Sequence, residues 1–340
     1  MPNKTVLITG ISGFIAKHCA VELLRHGYAV RGTVRSAAKA EEVKATLSKH
    51  CDIAGLEFVE ADLLSDKGWA NAVQGLQGIL HIASPFPLSE PKDPEELIRP
   101  AVDGTLRVLH AAIDARVPRF VQTSSTVAVA FGHPKDRTAP FTEDDWTVLT
   151  NPAVSAYARS KTLAERAARE LINGTKPAIH FSTVNPGFVL GPMLDRDIGS
   201  SGDAIQMFLR GKYPGCPRLA FPVVDVRDVA KMHRLALETA EPSGGRYLAV
   251  SGTAWFSDMM RPIKARLGEN AKKVPTSELP NFLIKLIGIF DPAARGIVPD
   301  LGHYIRVDNR RTRDALGMAF IGVEESAPAM AQSLVDLGLA

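Results

Sequence analysis

Near the start of the 340-residue chain, Thr5-Val-Leu-Ile-Thr-Gly10-Ile-Ser-Gly13-Phe-Ile-Ala16 joins a β-branched apolar run to a helical one through two glycines. Thr5 to Thr9 favours a strand, Phe14 to His26 has helical spacing and stops at Gly27, and Tyr28 to Val34 returns to strand. The result is a β-α-β unit with glycines at its first turn, where backbone amides at a helix start accept a pyrophosphate. Ala16 takes the third place of the glycine pattern, which asks only for close helix–strand packing. Position carries this inference, because a chain with 27 glycines produces Gly-x-x-Gly pairs by chance.

The alternation continues outward. Strands are predicted at 56–60, 78–83, 119–124 and 178–184, and helices at 37–50, 65–74, 94–115 and 152–173. Short strands alternating with helices predict an α/β fold, a doubly wound parallel sheet covered on both faces. From Met193 the pattern becomes irregular and rich in Pro and Gly, with a strand at 246–250 and helices near 256–267 and 281–289. The expected organisation is a dinucleotide-binding domain over 1–190, rejoined by 222–252, with a smaller interleaved α+β substrate lobe from 191–221 and 253–340.

Forty Lys and Arg against 37 Asp and Glu leave a net charge of +3, too weak a field to suggest a nucleic-acid partner. Cys19, Cys51 and Cys216 have neither disulfide-framework nor zinc-ligand spacing, which fits a reducing cytoplasm and predicts no metal. The apolar stretch 282–290 is short and contains Lys285, and the first strand begins too early for a signal core, so a soluble protein without a membrane partner is expected. Glu143-Asp-Asp145 is expected to be a solvated turn, His81 a core or cleft-wall residue, and His18 and Cys19 packing residues. In Asp225-Val-Arg-Asp228, a charged pair is expected to orient the lobes, with Asp228 a suitable helix cap.

The second strand ends Gly32-Thr-Val-Arg35-Ser36, with no acid before Glu41. Arg35 offers a planar multi-donor fork for a 2′-phosphate and Lys39 a point charge, which points to NADP over NAD. Asp62 follows the third strand, placed either for an adenine amino group or as a helix cap. Ser155-Ala-Tyr157-Ala-Arg-Ser-Lys161 sets a phenol and an ammonium on one helix face, and Thr123-Ser-Ser125-Thr126 ends the fifth strand, at the sheet edge where such folds bind ligands. An ammonium about 4 Å from a phenol would favour phenolate by up to about three pKa units before desolvation opposes it.

The stretches VLITGISGFIAKH, RGTVRS, EADLL, HIASP, FVQTSSTVAV, SAYARSKTLAE, VNPGFVLGP and VDVRDVA together resemble the extended short-chain dehydrogenases/reductases. Within these, the chain is similar to the branch of dihydroflavonol, cinnamoyl-CoA and methylglyoxal or ketone reductases. The resemblance implies a Rossmann fold and NADPH-dependent reduction of an aldehyde or ketone. It implies Ser125 as carbonyl binder, Tyr157 as acid–base group and Lys161 on the nicotinamide ribose. The implied cofactor contacts are Gly10, Ser12, Gly13, Phe14, Ile15, Arg35, Lys39, Asp62, Leu63, Ala83, Ser84, Thr123, Tyr157, Lys161, Pro186 and Val189. Ser84, Phe86, Thr126 and Phe188 would wall the substrate. The stretch before Tyr157 lacks the aromatic and cysteine motif of cinnamoyl-CoA reductases, and Thr126-Val-Ala128 lacks the acids of nucleotide-sugar dehydratases. A nucleotide-sugar epimerase and a non-catalytic NADP sensor are the alternatives, and a monomer or homodimer is expected.

Overall fold

The computed structural model describes residues 4–84, 93–175, 179–241, 243–290 and 292–340. Strands β1 (Thr5–Ile8), β2 (Ala29–Val34), β3 (Leu56–Glu60), β4 (Gly78–His81), β5 (Arg119–Thr123) and β6 (His180–Pro186) belong to the main sheet. Next come β7 (Phe188–Leu190), β8 (Ala220–Asp225), β9 (Gly245–Ala249) and β10 (Gly252–Trp255). Seven strands pair in parallel in the order β3-β2-β1-β4-β5-β6-β9. This is the doubly wound Rossmann order extended by one strand.

Both faces of the sheet are covered, which is why β1 is buried at every position. Val6, Ile8, Leu80, Val121 and Val184 point into a core shared with helices α1 (Phe14–Arg25) and α2 (Ala37–Leu47). Leu7, Ile79, Phe120 and Phe181 point the other way, toward the short α3 (Trp69–Ala72) and the long α4 (Glu95–Asp114) and α5 (Ala156–Thr175). The period-two alternation of each strand thus sorts its side chains into two cores. The predicted helix over 65–74 is reduced to α3, because Asp62 and Ser65 spend the preceding turn on local hydrogen bonds to Leu64 and Lys67.

Beyond β6 the chain builds a second, three-stranded sheet, β10-β8-β7, with β8 antiparallel to β10 and parallel to β7. Helices α6 (Gly199–Leu209), α8 (Phe256–Leu267) and α12 (Val323–Asp336) close over it, and Ile284 of α9 (Asn281–Phe290) joins that core. Residues 222–252 divide between the sheets: β8 lies in the small one, whereas α7 (Val226–Glu238) covers the large one and β9 extends it. After α10 (Pro292–Ile297), α11 (Arg310–Leu316) returns to the large-sheet core through Leu316. Among the described residues no helix is long and apolar enough to cross a membrane.

Two acidic motifs differ from expectation. Only Asp144 of the 143–145 run is a solvated acid: Glu143 is buried and accepts from the backbone N–H and hydroxyl of Thr312, and Asp145 is held by Arg137. The helix cap is Asp225 rather than Asp228, because Asp225 has the extended backbone of a cap and accepts from Arg227 N at 2.8 Å. Asp228, already inside the first turn, accepts from Ile321 N at 2.7 Å. Arg227 bridges the fully buried Asp225 to Glu325 of α12, which is the expected charged pair between the two cores. Asp225→Ala removes a cap and leaves Arg227 one partner short. A loss on the order of 3 kcal/mol is expected, read by denaturant unfolding against wild type.

Candidate active site

The first turn is shaped around Gly10 and Gly13. Gly10 has φ of +61°, and a Cβ there would lie 2.9 Å from that of Ala83. Its N–H is held by Thr33 Oγ1 at 2.8 Å, and Gly13 N closes the turn on Gly10 O at 3.0 Å before capping α1. Gly32 is equally constrained, because a Cβ would lie 2.5 Å from the Ile11 side chain. The backbone is thereby brought close to the start of α1, as a pyrophosphate cradle requires. Ser12, Phe14 and Ile15 are half-buried on this turn, Phe14 packing toward the small-sheet core and Ile15 toward the large one.

At the end of β2, Arg35 is exposed and no partner for its guanidinium occurs among the described residues. Lys39 instead pairs with Glu42 at 2.5 Å. Ser36 caps α2 by accepting from Lys39 N. Asp62 Oδ1 accepts from Leu64 N at 2.9 Å, so it shapes the loop after β3. Leu63 packs toward Gly104 of α4. A free guanidinium beyond the glycine turn fits a phosphorylated dinucleotide.

The proposed chemistry converges at the C-terminal edge of β5. Ser125 caps the turn Thr126–Ala128 and donates its hydroxyl toward Pro186 O at 3.3 Å. It is also hydrogen-bonded to the phenol of Tyr157 on α5. One turn later, the buried Lys161 Nζ lies 5.9 Å from the Tyr157 ring centroid, with no carboxylate in salt-bridge range among the described residues. The expected electrostatic tuning is reversed here. Burial pushes the Tyr157 phenol up to about 12, partly opposed by Ser125, while burial pulls Lys161 down to about 8. Loss of water disfavours the charged form of each group, and at the half-buried Tyr157 it is the Ser125 hydrogen bond, not the Lys161 ammonium, that opposes the rise.

The remaining candidates are spread around this edge. Ala83 N donates to Thr9 Oγ1, while Ser84 is half-buried and Phe86 lies outside the described residues. The Thr123 hydroxyl donates to His233 Nε2 at 2.7 Å, which turns it toward α7. Thr126 and Pro186 are buried and Val189 is half-buried. Phe188 stacks on Phe221 at 5.5 Å and meets Phe256 edge-on at 6.2 Å, so it is part of an aromatic cluster in the small lobe. His81 is buried between Thr9 and Thr105, with burial holding its pKa down to about 3. The sequence reading missed Glu165 and Asn185, which cluster behind Ser125. Glu165 had a visible signal, since it lies four residues after Lys161 on the same helix.

Fold order, glycine turn and the Ser125–Tyr157–Lys161 cluster define an extended short-chain dehydrogenase/reductase. The model of the NAD dependent epimerase/dehydratase family matches residues 6–249, and the chain belongs to that family. It is 34% identical to ketoreductase azaE of Aspergillus niger, over 93% of each chain. It is 37% identical to cinnamoyl-CoA reductase CAD2 of Medicago truncatula, over 77% of this chain and 80% of the relative. Among solved structures it is similar to Gre2 of Candida albicans in complex with NADPH, at 27% identity and a TM-score of 0.79, covering 98% of this chain and 99% of that one.

Gly10→Ala would force a side chain into left-handed backbone and against Ala83. A loss of roughly 1–3 kcal/mol is expected, measurable as a lower denaturant midpoint with unchanged slope.

Proposed function

We propose that this chain is an NADPH-dependent carbonyl reductase that converts an aldehyde or ketone to an alcohol, with Ser125, Tyr157 and Lys161 as the catalytic set. The observation that carries this reading is the hydrogen-bonded Ser125–Tyr157 pair beside a buried, uncompensated Lys161. The names of similar proteins, a ketoreductase and a Gre2 complexed with NADPH, support the same class. Gly10 and Gly13 would receive the pyrophosphate and Arg35 the 2′-phosphate.

When bound, NADPH supplies the hydride that reduces the carbonyl carbon. Ser125 donates a hydrogen bond to the carbonyl oxygen and holds it beside the phenol. A phenol held at about 12 stays protonated at neutral pH, which is the form a proton donor needs. As negative charge develops on the substrate oxygen, Tyr157 gives up its proton, because an alkoxide is more basic than a phenolate. The Lys161 ammonium, charged below about 8, then offsets the charge left on Tyr157. The apolar surroundings of Phe188 favour a substrate with a hydrophobic or aromatic body.

The test is NADPH oxidation against small dicarbonyls, β-keto esters, aromatic aldehydes and a dihydroflavonol. Tyr157→Phe is expected to lower kcat by about 10²–10⁴-fold. Activity in kcat/KM should fall as pH rises through about 8, where Lys161 loses its charge. Tight cofactor binding without net oxidation would overturn the reading in favour of an epimerase or a sensor. Arg35→Ala is expected to raise the Kd of NADPH about 10–100-fold and leave that of NADH unchanged, as measured by fluorescence titration.

A further inference from the structure

Behind the candidate site, Glu165 of α5 is completely buried, yet its carboxylate is held ionised, below the usual carboxylate range, by Arg246 and Arg169. Oε1 accepts from Arg246 Nε at 2.7 Å and from Arg169 Nε at 3.1 Å. Oε2 faces the strand ends, accepting from Ser124 Oγ at 2.6 Å and from Asn185 Nδ2 at 2.9 Å. Asn185 Nδ2 also donates to the carbonyl of Ser125 at 3.2 Å, and Thr183 Oγ1 lies 2.9 Å from Asn185 Oδ1, fixing the amide orientation. One carboxylate therefore ties four elements together: α5, the end of β5, the end of β6 and, through Arg246, β9.

The two oxygens divide the work. Two guanidiniums on one side compensate the buried charge, so the other side can grip neutral donors at the places where β5 and β6 leave the sheet. α5 also carries Tyr157 and Lys161, and Glu165 follows Lys161 by four residues on the same helical face. The far end of the grip is the peptide of Ser125 itself.

We propose that Glu165, acting through Asn185 and Ser124, is a positioning residue that sets the register between α5 and the β5 end. It thereby fixes the distance from the Ser125 hydroxyl to the Tyr157 phenol. This rests on the reading of Ser125, Tyr157 and Lys161 as the catalytic set, and it adds a residue that touches neither substrate nor cofactor. A small misplacement of the donor pair slows proton delivery but leaves the glycine turn and Arg35, on other elements, able to bind NADPH.

The experiment compares Asn185→Ala, Ser124→Ala and Glu165→Gln with wild type, with Tyr157→Phe as control. The readouts are NADPH Kd by fluorescence, KM for the carbonyl, kcat and the solvent deuterium isotope effect on kcat. Asn185→Ala is expected to lower kcat about 10–100-fold and to enlarge the isotope effect, with Kd unchanged. Ser124→Ala should change the same quantities in the same direction by less. A merely structural role would lower the unfolding midpoint and leave kcat and the isotope effect alone, and that result overturns the proposal. Should Glu165→Gln or Asn185→Ala not fold, because a buried cluster is left unbalanced, Ser124→Ala decides by the same criterion, since it deletes a single hydroxyl. Full activity in Tyr157→Phe would overturn the catalytic reading itself. Loss of activity in Tyr157→Phe with wild-type kcat in Asn185→Ala and Ser124→Ala would leave that reading standing and remove only the positioning role.

Discussion

The backbone ladder of a seven-stranded parallel sheet must be shielded on both faces, and most of the molecule follows from that requirement. α1, α2 and α7 cover one face and α3, α4 and α5 the other, which leaves the rim where the strands end as the part of the sheet that these helices do not cover. Gly10, Arg35, Asp62, Ala83, Ser125 and Pro186 all sit at or just beyond C-terminal strand ends. The candidate residues gather there because the covered faces of the sheet are given to packing.

Burial also decides the electrostatics. Lys161 and Tyr157 are shifted in opposite directions by the same loss of water, which leaves the phenol loaded with its proton and the lysine close to neutrality in mild alkali. His18, His81 and His233 are all pulled down to about 3 or 4 by burial, so they serve as neutral hydrogen-bonding parts of the frame. Lys17 on α1 is buried against Asp195, and Asp195 also accepts from Thr46 of α2. The loop that leads from the small sheet into α6 is thereby fastened to the two helices that follow β1 and β2. Buried charges such as Lys17 and Glu165 are tolerated because each has such an assigned partner, whereas Lys161 has none among the described residues.

How far the chain could be read in advance depended on how local the determining signal was. α1, α8 and the first six strands carry regular periodicity over several residues and were legible within a few residues of their observed ends. β7 spans only Phe188–Leu190, too short for any period, and β8, the centre of the small sheet, lies in the Pro- and Gly-rich region where the pattern is irregular. The short α3 lost its expected length to turns at Asp62 and Ser65. Tyr157 and Lys161 were legible because four residues on a helix already place two side chains together. Their pairing with Ser125 spans two elements and depends on the fold.

The sequence by itself determined the doubly wound class, the glycine turn, the cationic end of β2 and the helix bearing Tyr157 and Lys161, because each is a contiguous pattern whose geometry is local. Tertiary structure alone decided that desolvation would raise the Tyr157 phenol, that Thr123 would face His233, and that Glu165 would join α5, the ends of β5 and β6, and β9. Burial depth and contacts between residues far apart in the chain, such as Glu165 with Asn185 and Arg246, 20 and 81 positions away, exist only once the chain has closed on itself.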